Sequence, residues 1–113
     1  MQPIPIKEWH EEARKRYGKN QLDWKFQCPA CKHVASIRDY KEVDGLGGAA
    51  FSCIGRWLPE KRGAFEGKGK GPCNYAGGGL FGLNPIPVKL EDERIENVFD
   101  FADEPLVKKV DHG

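Results

Sequence analysis

Apolar positions recur at steps of three and four near the start of the chain. In IKEWHEEARKRYG, Ile6, Trp9, Ala13 and Tyr17 fall near one face, and most other positions are charged. That period predicts a helix over residues 6–17, entered after Pro5 and closed at Gly18, because glycine accepts the left-handed backbone that commonly ends a helix. The period then changes to two. In LDWKFQ, Leu22, Trp24 and Phe26 alternate with Asp23, Lys25 and Gln27, which predicts a half-buried strand. This strand runs straight into CPAC and delivers two cysteines at its end. HVASI is expected to return antiparallel, and Ser36 with Asp39 has the spacing of a capping box for a short turn of helix through Tyr40.

Beyond that point the pattern weakens. GLGG at 45–48 reads as a loop, and AAFSCIG as another strand with Ala49, Phe51 and Cys53 on one side. Residues 56–72, RWLPEKRGAFEGKGKGP, are basic and rich in Gly and Pro, so they predict a surface excursion. PIPVKL and IENVFDFA read as two strands joined by the charged turn EDER. Residues 1–102 are expected to form a single domain, and residues 103–113 a flexible tail.

Length and composition narrow the class. A chain of 113 residues with 39% hydrophobic and 31% charged residues reads as one globular domain with a modest core. It has no apolar run long enough for a membrane span. The first eighteen residues show charges on a helical pattern and no apolar signal-peptide core, so the expected location is a cytosol. Disulfides are disfavoured there. The formal charge of +1 hides an asymmetry. Residues 1–88 carry 14 Lys+Arg against 9 Asp+Glu, whereas residues 89–113 carry 4 against 8. A basic body with an acidic end fits an anionic partner, although ordinary surface scatter gives the same numbers.

The chemistry lies in four cysteines, spaced C-P-A-C-x21-C-x19-C: Cys28, Cys31, Cys53 and Cys73. In the first pair, two intervening residues let both sulfurs converge on one ion, and Pro29 suits the turn. Zn2+ takes four tetrahedral ligands, and four thiolates in a cytosolic chain supply that number with none left over. Cys53 and Cys73 are not a close pair and must arrive from separate segments, which loop-closure entropy permits. The competing readings are a disulfide framework, a redox Cys-x-x-Cys pair, and buried cysteines without a ligand role. His33 is the one histidine near enough to replace a cysteine. With the cysteines included, the fold class is α+β: a small zinc-ribbon-like domain with an N-terminal helix and a C-terminal β-hairpin.

GKGKGPCNYAGGGLFG, residues 67–82, contains seven glycines around Cys73. Within it, Gly77 to Gly82 matches G-x-G-x-x-G, but the prolines of LNPIPV forbid the helix that a dinucleotide site needs. The glycines are better explained by a backbone that turns tightly near a metal. No Ser, His and acid grouping suggests an enzyme.

Cys28 with Cys31, CIGR at 53–56, PCNYAGGGLFG at 72–82 and VFDFA at 98–102 together resemble a family of small uncharacterised zinc-binding proteins encoded by phages and prophages. The resemblance spans about residues 6–102. It implies a zinc-binding fold and a phage origin, and carries no activity with it.

The leading functional expectation is a non-enzymatic module whose Zn2+ holds loops that bind a nucleic acid or nucleic-acid-processing machinery. The candidate contacts are Arg56, Trp57, Lys61, Arg62, Lys68 and Lys70: cations for phosphates and an indole for stacking. Trp57 also reads as a core residue beside the metal. The alternative is an inhibitor of a host defence enzyme, with the acidic end from Glu91 to Glu104 imitating nucleic acid.

Overall fold

The computed structural model describes residues 1–65, 71–79 and 82–107. A two-residue strand β1 (Ile4–Pro5) leads directly into helix α1 (Ile6–Tyr17), which ends at Gly18 with φ of 93°. Trp9 and Ala13 are its buried positions, as the spacing predicts. Strand β2 (Lys25–Gln27) pairs antiparallel with β3 (Val34–Ser36), and β3 passes into helix α2 (Ile37–Glu42). The capping box is present. Ser36 Oγ accepts from the Asp39 N–H at 3.2 Å, and the Asp39 carboxylate accepts from the Ser36 N–H at 2.9 Å. Strands β4 (Ile86–Lys89) and β5 (Ile95–Val98) form the expected hairpin, and β6 (Asp100–Phe101) follows.

The strands make two three-stranded sheets, ordered β1-β4-β5 and β3-β2-β6. The run IENVFDFA is therefore two strands, interrupted at Phe99, that belong to different sheets. At the interruption, the Phe99 N–H donates to the Ala50 carbonyl at 2.7 Å. Beyond it, Phe26 pairs with Phe101 and Gln27 with Asp100. An aromatic cluster fills the space between α1 and the second sheet. Trp9 stacks on Phe26 and Phe101 with centroids at 5.7 and 5.9 Å, and Trp24 meets Trp9 edge-on. Ile86, Val88, Phe99 and Tyr75 extend this core, and Cys28, Cys53 and Cys73 belong to it.

Two expectations are corrected. Residues 21–23 form a 3-10 turn instead of continuing the strand, because the Asn20 side chain accepts from the Leu22 N–H at 3.0 Å and turns the chain locally. Residues 49–55 are not a strand either. The Phe51 and Ser52 N–H groups both donate to the Gly48 carbonyl, Ala50 has φ of 61°, and a 3-10 turn covers Ile54–Trp57. A left-handed residue cannot continue a pleated strand.

Residues 103–107, the start of the expected tail, contact the body at several points. The Asp100 carboxylate accepts from the N–H groups of Phe101, Leu106 and Val107 at 2.8, 2.9 and 2.9 Å. Arg16 donates to the Asp103 carbonyl. Residues 108–113 lie outside the described residues.

Phe26 is 1% exposed and Ile95 54% exposed. Phe26→Ala is expected to lower stability by about 3–5 kcal/mol. Ile95→Ala should change it by less than about 0.5 kcal/mol. Chemical denaturation of both variants checks this.

Candidate metal centre

The first two cysteines sit on a tight turn at the end of β2. The Cys28 N–H donates to the His33 carbonyl at 3.0 Å, and the Lys32 N–H donates to the Cys28 carbonyl at 2.9 Å. Lys32 takes the left-handed backbone this turn demands, with φ of 67°. Cys53 precedes the 3-10 turn, and its N–H donates to the Tyr75 carbonyl at 3.0 Å. That bond sets the Cys53 segment alongside the Cys73–Tyr75 segment. Gly55 makes the approach feasible: a Cβ there would lie 2.1 Å from the Cys73 carbonyl oxygen. Only glycine allows two backbones this close.

The four cysteines come together. Their sulfurs all lie within 4.8 Å of one another, with Cys28 to Cys73 at 3.9 Å and Cys31 to Cys53 at 3.7 Å. A tetrahedral ion with metal–sulfur bonds of about 2.3 Å needs sulfurs about 3.8 Å apart. The spacing therefore fits one tetrahedral ion and is far too wide for disulfides, and all four are free cysteines. His33 lies outside this group and contributes its backbone carbonyl to the turn.

Backbone amides face the sulfurs. The Cys73 N–H donates to Cys53 Sγ and the Tyr75 N–H to Cys73 Sγ, both at 3.4 Å. Hydrogen bonding with Cys53, then burial, holds the Cys28 thiol far above its usual range. The same bond pushes Cys53 down to about 5. Burial pushes Cys73 up to about 11. A cation that binds here must displace the thiol protons, so its affinity should rise with pH. Tyr40 closes the neighbouring side. Its hydroxyl donates to the Ser52 carbonyl at 2.6 Å, and burial followed by the nearby sulfurs pushes its pKa up.

The other candidates are placed differently. Arg56 and Lys61 are exposed. Arg56 reaches the Asn74 carbonyl at 3.4 Å. Trp57 is half-buried in a small second core with Ala35, Tyr40 and Ile54. Its indole occupies the space above Gly48, where a Cβ would lie 2.0 Å from Cη2, and it meets Tyr40 edge-on at 5.9 Å. Arg62 is half-buried and donates to backbone carbonyls, Nε to Gly71 and Nη2 to Cys31, each at 3.3 Å. Lys68 and Lys70 lie outside the described residues. Sequence reasoning did not single out Gly55, Tyr40 or Phe65, which is 63% exposed. The glycine inside CIGR was the one available signal for the close approach.

A family model described as VVA0879-like matches residues 5–102. The chain belongs to the VVA0879-like family. No curated protein and no solved structure matches it. The family match thus covers nearly all the described residues and includes all four cysteines, while its description names neither a metal nor a phage. Among the described residues, no helix is long and apolar enough to cross a membrane.

One metal ion per chain is expected, and Cys73→Ser should lower the melting temperature about as much as Cys28→Ser, because each removes one of four equivalent ligands. Metal analysis and thermal melts check both points. A parent-like melt for Cys73→Ser would take that residue out of the centre.

Proposed function

We propose that this protein is a non-enzymatic binding module in which one Zn2+, held by Cys28, Cys31, Cys53 and Cys73, fixes loops that contact a nucleic acid. The observation that carries the proposal is the set of four thiols at tetrahedral spacing, three of them buried. An all-sulfur tetrahedron suits zinc over hard cations such as magnesium or calcium. A centre closed by four protein ligands leaves no position for a reacting water, which favours a structural role over catalysis.

The loops around the centre supply the contacts. Arg56 and Lys61 are exposed cations beside it in sequence, and Lys32 stands on the Cys28–Cys31 turn itself. Lys68 and Lys70 extend the same basic excursion in the sequence. Phe65 is exposed on that excursion, whereas the Trp57 ring is packed against Gly48 and Tyr40. The second reading, a phage-encoded inhibitor of a host enzyme working in the host cytoplasm, depends on the acidic end. There Glu91, Asp92 and Glu93 are exposed, but Asp92 pairs with Arg94 at 2.6 Å and Glu93 with Lys89 at 2.9 Å. Those pairs dilute a nucleic-acid-like surface, so the first reading is preferred.

Titration with single-stranded DNA and RNA at increasing salt tests it. Three to five phosphate contacts should give a log–log slope of about −2 to −4. Replacing Lys68 and Lys70 by alanine should flatten the slope without lowering the melting temperature. Trp57→Ala should instead lower stability. Absence of binding at low salt would overturn the nucleic-acid reading and leave a host protein as the partner to seek.

A further inference from the structure

Cys73 is the last of the four ligands along the chain and reaches the centre by a long detour. Nineteen residues separate it from Cys53, and the chain between them makes the basic excursion. Its return is closed at a neck. The Arg62 N–H donates to the Pro72 carbonyl at 3.2 Å, and the Asn74 N–H donates to the Arg62 carbonyl at 3.1 Å. Arg62 and Cys73 thereby form an isolated parallel bridge. The Asn74 side chain adds a bond from the Ala64 N–H at 2.9 Å. The guanidinium then spans the gap to the other half of the centre, with Nε on the Gly71 carbonyl and Nη2 on the Cys31 carbonyl.

We propose that Arg62 is the positioning residue of the metal centre, clasping the Cys73 strand to the Cys28–Cys31 turn so that the fourth thiol is in place before metal arrives. This rests on the metal reading above. Closing a loop costs entropy whether or not an ion is bound, and the neck meets that cost with protein hydrogen bonds. The rigid fork of arginine suits two carbonyls that lie apart, and the shorter-reaching point donor of lysine does not. Its positive charge also sits beside a set that four thiolates make anionic. Outer partners that orient metal ligands commonly matter about 10–100-fold in affinity.

The test uses the full chain loaded with Zn2+ and, separately, with Co2+, whose visible absorption reports the ligand tetrahedron. Arg62→Gln and Arg62→Lys are compared with the parent, with Lys61→Gln as a charge-matched neighbour and Val88→Ala, buried on the other sheet, as a destabilised control. Arg62→Gln is expected to yield its metal to a competing chelator about 10–100-fold more readily and to alter the Co2+ spectrum. Arg62→Lys should recover only part of the loss. Lys61→Gln should match the parent in metal retention and Co2+ spectrum, and Val88→Ala should keep the parent's spectrum. If Arg62→Gln does not fold, Arg62→Lys carries the comparison. Parent-like metal retention and an unchanged spectrum in whichever Arg62 variant folds would overturn the clasp. A parent chain that binds no metal would instead overturn the metal reading on which the clasp rests.

Discussion

Four sulfurs have to share one small buried volume. Cys28, Cys53 and Cys73 are each 1% exposed or less, and they arrive from three separate stretches of chain. Neutral thiols hold such a cluster weakly, and ionised thiolates in a low-dielectric interior repel one another. A single divalent cation reverses the sign of the interaction. Structural zinc sites contribute roughly 10–16 kcal/mol of apparent binding energy, comparable to the roughly 5–15 kcal/mol of net stability of a whole domain. On the proposed reading, an ion in this centre would contribute as much to holding the three cysteine-bearing stretches together as the net stability of a whole domain.

The centre and the aromatic core are mechanically one object. Phe26 and Cys28 lie two residues apart and share the inward face at the end of β2. Phe26 packs against Trp9 and Phe101, while Cys28 meets Cys73. On the opposite side, Tyr40 links α2 to Ser52, the residue before Cys53. The passage between sheets at Phe99 adds the other sheet, because its N–H bonds to Ala50 within the same irregular segment. A shift in any one ligand is thus passed to both sheets and to both helices through close-packed contacts, which do not deform continuously.

What the sequence revealed, and what it concealed, follow from the range of the interactions concerned. Helix α1, its Gly18 stop, the Ser36–Asp39 capping box and the β4–β5 hairpin depend on neighbours within a few residues, so periodicity and local residue chemistry exposed them. The cysteine set was legible because four ligands of one type match a fixed coordination number. Residues 49–55 misled, since AAFSCIG has the alternation of a strand, whereas its path is dictated by Cys53 reaching the sulfur cluster and by Trp57 lying over Gly48. Arg62 was read as a surface cation for the same reason. Its partners are carbonyls at Gly71 and Cys31, and no local pattern announces a side chain that binds backbone from two distant segments. Parallel pairing of β1 with β4 was invisible for a similar cause, because only two residues of each strand form the contact.

On the proposed reading, an ion closed in by four protein sulfurs has no open position for a reacting water, and its value to the molecule is geometric. It would tie together segments with little regular structure: Cys28–Cys31, Ile54–Trp57 and the neck at Arg62 and Cys73. On the proposed reading these turns are the working surface. Lys32, Arg56 and Lys61 project near the ends of the metal-bearing segments, while the acids at Glu91, Asp92 and Glu93 belong to the hairpin of the other sheet. An exposed cation on a free loop loses side-chain and backbone entropy when it engages a phosphate. One mounted on a turn already fixed by a metal loses less, so fewer charges suffice for the same affinity. A nearly neutral chain could bind an anion under that condition through a small set of cations mounted on the cysteine-bearing segments.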